Sequence, residues 1–368
     1  MKNSSLSLQV LLCVVILGAT AVVPFEGVAQ EAGTVLTSGF NGPMGILAAA
    51  DGSILVIDTG VGGDTEFEFP HFETGVLTTV SFGETARVIR VAKDGSQTVL
   101  AALPSMILGP GESAGGARLT MIDGVLYATS GMWMAGGGDE PRTNMASIVR
   151  IEDGEAVEIA STYTIERKLN PDSLIVESNP YGIVAGPDGY LWVADAGGNS
   201  LLKVDPGTGA TELVASFGAV PSPLPNPNRG GRMEADPVPT GLAFDAGGNL
   251  FVALLPGFPF IPGSARVVRV NPDGEVSDYA TGLTMLVDLR LGPDGELYAV
   301  SLGRFTEEGP QPNSGAIVRI AEGDQSEEVL TGLSFPTSID FNDNGEAFVT
   351  INGVGAPGTG EVVVFPKF

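Results

Sequence analysis

One histidine, His71, and one cysteine, Cys13, are the only imidazole and thiol in the 368-residue chain, so its chemistry must rest mainly on carboxylates, amides and hydroxyls. A single imidazole excludes histidine-pair mechanisms and His-rich metal centres, and makes any Ser/His/Asp triad depend on His71. A single cysteine excludes an internal disulfide and a cysteine-based zinc site. His71 lies in Glu66-Phe-Glu-Phe-Pro-His-Phe-Glu73, where an imidazole among carboxylates suits an acid or a metal ligand; an exposed loop histidine is the plainer outcome.

Two carboxylate patterns invite a metal. Asp340-Phe-Asn-Asp-Asn-Gly345 matches the first half of a calcium loop, but Ile351 stands at the twelfth position, where a bidentate Glu is required, so the segment reads as a turn. Asp58, Asp195 and Asn199 stand where apolar segments end, and side chains of this kind more often hydrogen-bond the turn backbone than a metal. Phe67, Phe69, Phe72, Met132, Trp133, Met134, Phe258 and Phe260 suit an aromatic-rimmed cleft for a planar ligand; packing against the strands beneath is the plainer alternative.

These residues must be positioned by repeated elements. Asn179-Pro-Tyr-Gly-Ile-Val-Ala-Gly-Pro-Asp-Gly-Tyr-Leu-Trp-Val-Ala-Asp195, followed by Ser200-Leu-Leu-Lys-Val-Asp205 and Thr211-Glu-Leu-Val-Ala215, is the clearest copy of a four-strand unit. Its turn returns at Asp51-Gly52, Asp123-Gly124, Asp188-Gly189, Gly248-Asn249, Asp294-Gly295 and Asn344-Gly345, about every 59 residues. Asp-Gly and Asn-Gly accept the positive φ of tight hairpins, and no long helical period follows residue 30. The expected fold is an all-β, six-bladed β-propeller of four-stranded antiparallel blades, one domain spanning 30–368. Val35-Leu-Thr-Ser38 before Pro43-Met-Gly-Ile46 parallels Val329-Leu-Thr-Gly332 before Pro336-Thr-Ser-Ile339, so the N-terminal strand is expected to close the last blade beside 361–365.

One set of connections is minimal, while 60–85, 103–116, 131–145, 162–178, 217–237, 255–264 and 303–314 are long, and alternation places the long ones on one side. That side is the expected working face, with His71, Trp133, Phe258 and Phe260 as candidate loop contacts. Aligning the inner strands puts Gly45, Arg118, Gly182, Gly241, Asp288 and Ser338 at one equivalent position. Small residues suit a crowded axis. Arg118 and Asp288 break that rule in opposite copies and are expected to meet across the channel, as a plug or as a ligand-orienting pair. Arg118, Asp288, Ser338, Asn41, Asn179 and Tyr181 are therefore the candidate ligand-binding residues at its mouth.

Asp58-Thr-Gly-Val-Gly-Gly-Asp64, Pro256-Gly-Phe-Pro-Phe-Ile-Pro-Gly-Ser-Ala-Arg266 and Gly358-Thr-Gly-Glu-Val-Val363, with the third-copy segment above, resemble the ScyD/ScyE family of secreted propellers. That resemblance implies an exported six-bladed propeller and brings no catalytic residues. The sequence also resembles the senescence-marker/gluconolactonase propellers, which hold a divalent ion at the central channel with a Glu, two Asn and an Asp. Asn41, Asn179 and Asp288 stand at inner-strand entrances, but no Glu stands at an equivalent one. The shortage favours a non-catalytic binding or accessory scaffold for a small molecule or an exported protein, without a cofactor. A metal-dependent, lactonase-like hydrolase, with calcium as its ion, is the alternative.

Lys2, a run of mostly apolar residues over 10–23 and Gly27-Val-Ala29 read as a signal peptide over 1–29, which places the mature chain outside the cytoplasm with no membrane insertion after cleavage. With 44 acidic against 18 basic residues and a net charge of −26, the chain would be repelled by nucleic acid and anionic membranes. It is expected to act as a monomer.

Overall fold

The computed structural model describes residues 33–71, 75–109, 112–306 and 308–366; the signal segment and Phe72 lie outside the described residues. The fold is all-β and propeller-like. Sheets of four or more strands follow one another along the chain, with innermost strands Pro43–Ala48, Gly116–Ile122, Pro180–Ala185, Pro239–Phe244, Leu286–Leu291 and Ser338–Phe341. Each inner strand contacts the inner strand of the next sheet, and Ser338–Phe341 contacts Pro43–Ala48 in turn.

The central strands of these sheets are covered on both faces, which explains why strands such as Ile54–Asp58 and Leu250–Leu254 are continuously apolar instead of alternating. In Ile54–Asp58, Leu55 and Ile57 pack with Val88 and Leu119, whereas Ile54 and Val56 pack with Phe40, Ile46 and Phe348. Near the axis the backbones approach so closely that a Cβ on Gly182 would strike Thr240 O, and one on Gly241 would strike Asp288 and Leu289. Only glycine fits there.

Thr34–Phe40 pairs antiparallel with Gly360–Phe365, placing Val35 opposite Val363 and Thr37 opposite Val362, so the two ends of the described chain share one sheet. The Asp340–Gly345 segment is a turn, as its missing twelfth ligand implies: Asn342 Oδ1 accepts from the backbone of Asn344 and Glu346, both at 3.0 Å.

The long connections are more ordered than their glycine content implies. Thr65–Pro70 pairs with Leu77–Phe82 as an extended hairpin, and the 162–178 connection opens with the helix Thr162–Leu169. Ser161 caps that helix through Thr164 N at 3.4 Å, and Asn170 ends it in the left-handed region. No helix among the described residues is long and apolar enough to cross a membrane.

Candidate functional site

The long connections surround a funnel of about 1,210 Å³. Six of the seven contribute to its wall, through Val61, Leu108, Met132, Glu177, Leu224 and Phe258 among others. The funnel therefore opens on the side that loop lengths alone indicate.

Asn41, Asn179 and Tyr181 line it where two inner strands begin. A repeated device holds both asparagines. Asp58, at the end of the neighbouring strand, accepts from Asn41 N at 3.2 Å and is anchored by Arg87 Nε at 3.0 Å. Asp195 accepts from Asn179 N at 2.7 Å, Gly198 N at 3.0 Å and Ser178 Oγ at 2.7 Å. These two aspartates thus organise turn backbone, and the amide side chains of Asn41 and Asn179 remain available to the funnel. Asn199 also lines the wall; its amide nitrogen donates to Asp172 at 2.8 Å.

Glu177 is the site residue that sequence reasoning missed. It lies two residues before Asn179, one step outside the inner-strand entrance where a Glu was sought. The short strand Glu177–Ser178 pairs with Trp133–Met134, so one long connection positions the other. Glu177 lines the funnel and also borders a second cavity of about 30 Å³, shared with Asp172, Asn199 and Asp236, with room for a single water. Burial, then the charges of Asp195, Asp236 and Asp172, push its carboxyl up to about 8. Glu166, on the helix behind, is also pushed up to about 8, by burial first and then by Asp195, Asp172 and Glu177.

Arg118 and Asp288 do meet, with Nε 3.3 Å from Oδ1, and both are almost fully buried. Neither lines the funnel, nor does Ser338, whose hydroxyl donates to Asp288. The Arg118 guanidinium also donates to Thr337 O at 2.9 Å and Ala117 O at 3.0 Å, and to Met44 O and Val287 O. Arg118, Asp288 and Ser338 thus meet beneath the funnel, where the guanidinium joins several inner strands, and not in its wall. Arg118 reaches the funnel only indirectly: its carbon Cζ lies 4.5 Å from the Tyr181 ring centroid, and Nη2 donates to the Tyr181 hydroxyl at 3.4 Å.

The ion-holding set implied by the gluconolactonase resemblance does not fit this axis. There the Arg118 guanidinium donates to carbonyls of several inner strands and pairs with Asp288, the aspartate of the set.

The candidate loop contacts divide. Phe258 and Phe260 line the funnel. Trp133 does not: it is buried 5.0 Å from the Phe69 ring and anchors the loop sheet. His71 lies 3.7 Å from Glu112. A serine pattern also escaped the sequence reading, since Gly111-Glu-Ser-Ala-Gly115 matches Gly-x-Ser-x-Gly. Its context is not the strand–turn–helix of a nucleophile elbow. Ser113 lies on the short strand Glu112–Ala114, and its hydroxyl donates to Thr59 Oγ1 at 3.0 Å.

No family model matches the chain. It is 26% identical over 194 residues to the gluconolactonase of Zymomonas mobilis subsp. mobilis, a match covering 48% of this chain and about half of that protein. A crystal structure of a protein assigned to the gluconolactonases superposes with a TM-score of 0.51 at 15% identity, covering 92% of each chain. The PQQ-bound aldose sugar dehydrogenase of Streptomyces coelicolor gives 0.54 at 15% identity, covering 92% of this chain and 98% of that one. At these identities the structural likeness shows a propeller fold alone. The expectation of a non-catalytic scaffold is overturned by the curated relative, an enzyme. No Glu stands at an inner-strand entrance, but Glu177 reaches the funnel from a loop.

Proposed function

We propose that this chain is a lactonase-like hydrolase acting in the long-loop funnel of a six-bladed propeller. The observation that carries the reading is Glu177, a carboxyl pushed up to about 8 that shares the funnel wall with Asn179 and Tyr181. A base with such a pKa is matched to neutral pH. In this reading the Glu177 carboxylate takes a proton from water, and the resulting hydroxide adds to the ester carbonyl. The Asn179 amide and the Tyr181 hydroxyl donate to the oxyanion. Arg118 donates to the Tyr181 oxygen and so leaves the tyrosine proton free to turn towards the funnel. Collapse breaks the acyl–oxygen bond, the Glu177 proton passes to the leaving alkoxide, and a hydroxy acid is released.

The gluconolactonase relative supports this reaction class, and the signal-peptide pattern over 1–29 supports export, so that the hydrolase would act outside the cytoplasm. The test is acid release from a panel of γ- and δ-lactones by purified protein. We expect Glu177→Gln to lower kcat by about 10²–10⁴-fold while the fold is kept, and the native rate to rise with pH as Glu177 deprotonates through about 8. No turnover of any lactone, or full activity in the variant, sinks the reading. Covalent labelling of Ser113 by a fluorophosphonate would replace it with a serine mechanism.

A further inference from the structure

We infer that the substrate of this funnel is a large, uncharged, amphipathic ester, with its carbonyl end at Asn41, Asn179 and Tyr181 and an apolar body along the wall. The inference rests on the hydrolase reading for the ester group only; the size, charge and polarity of the ligand follow from the walls.

Size comes first. At about 1,210 Å³ the funnel exceeds the roughly 300–1,000 Å³ typical of sites for drug-sized ligands. A monosaccharide lactone would leave most of it filled with water.

Polarity is distributed unevenly. Asn41, Asn179 and Tyr181 sit where inner strands begin and Asn199, Asn226 and Asn228 add amides on one side, whereas Ile107, Leu108, Met132, Leu255 and Phe260 supply a stretch of apolar wall. Each hydroxyl of a sugar lactone buried against that wall would lose its water partners without replacement. Apolar side chains also reach into solvent at this site. Val61, Leu224 and Phe258 are 40%, 45% and 51% exposed, yet all three line the funnel. Large apolar groups held in water around a concave surface mark a place where apolar ligand surface is to be covered.

Charge excludes anions. Among the described residues no Lys, Arg or His lines the funnel. Its carboxylates are Glu112, Glu177 and Asp236, and Asp236 accepts from Arg229 Nε at 2.7 Å. A phosphorylated or carboxylated substrate would meet no counter-charge here and would approach a chain of net charge −26.

The test is calorimetric binding of δ-dodecalactone and of glucono-δ-lactone to the Glu177→Gln protein, with hydrolysis of both followed in the native protein. We expect δ-dodecalactone to bind at least about tenfold more tightly, with a negative heat-capacity change, and the exposed-rim double variant Leu224→Ser/Phe258→Ser to weaken it by about tenfold. Equal or tighter binding of glucono-δ-lactone overturns the inference, as does unchanged δ-dodecalactone affinity in the rim variant. The two readings fail separately. Tight δ-dodecalactone binding that follows the rim residues, without hydrolysis, upholds this inference and sinks the hydrolase. Hydrolysis of glucono-δ-lactone with no binding of δ-dodecalactone does the reverse.

Discussion

Arg118 and Asp288 form a conspicuous pair that lies beneath the funnel and not in its wall. Their charges are nearly sealed, and the guanidinium donates to backbone carbonyls from several inner strands. Removing one charge from a buried pair leaves the other uncompensated. Asp288→Asn is therefore expected to cost about 3 kcal/mol, read from the urea midpoint, while KM for a lactone substrate stays the same. Lost affinity at unchanged stability would instead make Asp288 a ligand-orienting group. The same geometry bears on metals. With a guanidinium at the axis, dialysis against a chelator is expected to leave hydrolysis unchanged; loss of activity restored by calcium would show that oxygen donors elsewhere in the funnel hold an ion.

At the scale of elements, the decisive pairing joins the two ends of the described chain. Thr34–Phe40 covers the edge of Gly360–Phe365, with Val35 against Val363 and Phe40 opposite Gly360. Without it a valine-rich strand, with Val362 and Val363 both buried, would present unpaired N–H and C=O groups to solvent, an invitation to aggregation. Deleting 34–40 is expected to lower Tm by at least about 5 °C and to promote association, as read by calorimetry and light scattering. Unchanged melting would mean that the pairing contributes little. A second pairing, Glu177–Ser178 on Trp133–Met134, sets the carboxylate proposed as the base on a loop sheet anchored by Trp133.

For the whole molecule the consequence is a dependence of stability on pH that runs opposite to ordinary acid denaturation. Glu166 and Glu177 are each raised from 4.5 to about 8 in the folded chain. Between those values the native state holds protons that the unfolded chain has lost, so stability falls as pH rises through the window. Tm is expected to drop by about 3–6 °C between pH 5.5 and 8.5, and Glu166→Gln to flatten much of that slope. A Tm that rises across the same range would show that both carboxyls ionise normally.

The repeats, turns and terminal pairing were legible in the amino-acid order because each is local or periodic. Asp-Gly turns demand positive φ, continuous apolar runs demand cover on both faces, and small residues recur where backbones meet at the axis. Loop lengths likewise located the side on which the funnel opens, and the meeting of Arg118 with Asp288 followed from their shared place in opposite repeats. Only the tertiary structure decided what lines the funnel. Glu177 has no repeat partner and enters through a pairing between two connections of different sheets; its raised pKa is the sum of burial and carboxylates brought from Asp172, Asp195 and Asp236. Trp133 and Phe258 both lie in glycine-bearing loops, yet one is a buried anchor and the other an exposed wall. Sequence reports side-chain type and spacing along the chain, whereas which of two aromatic loops turns inward depends on the volume left by sheets distant in sequence.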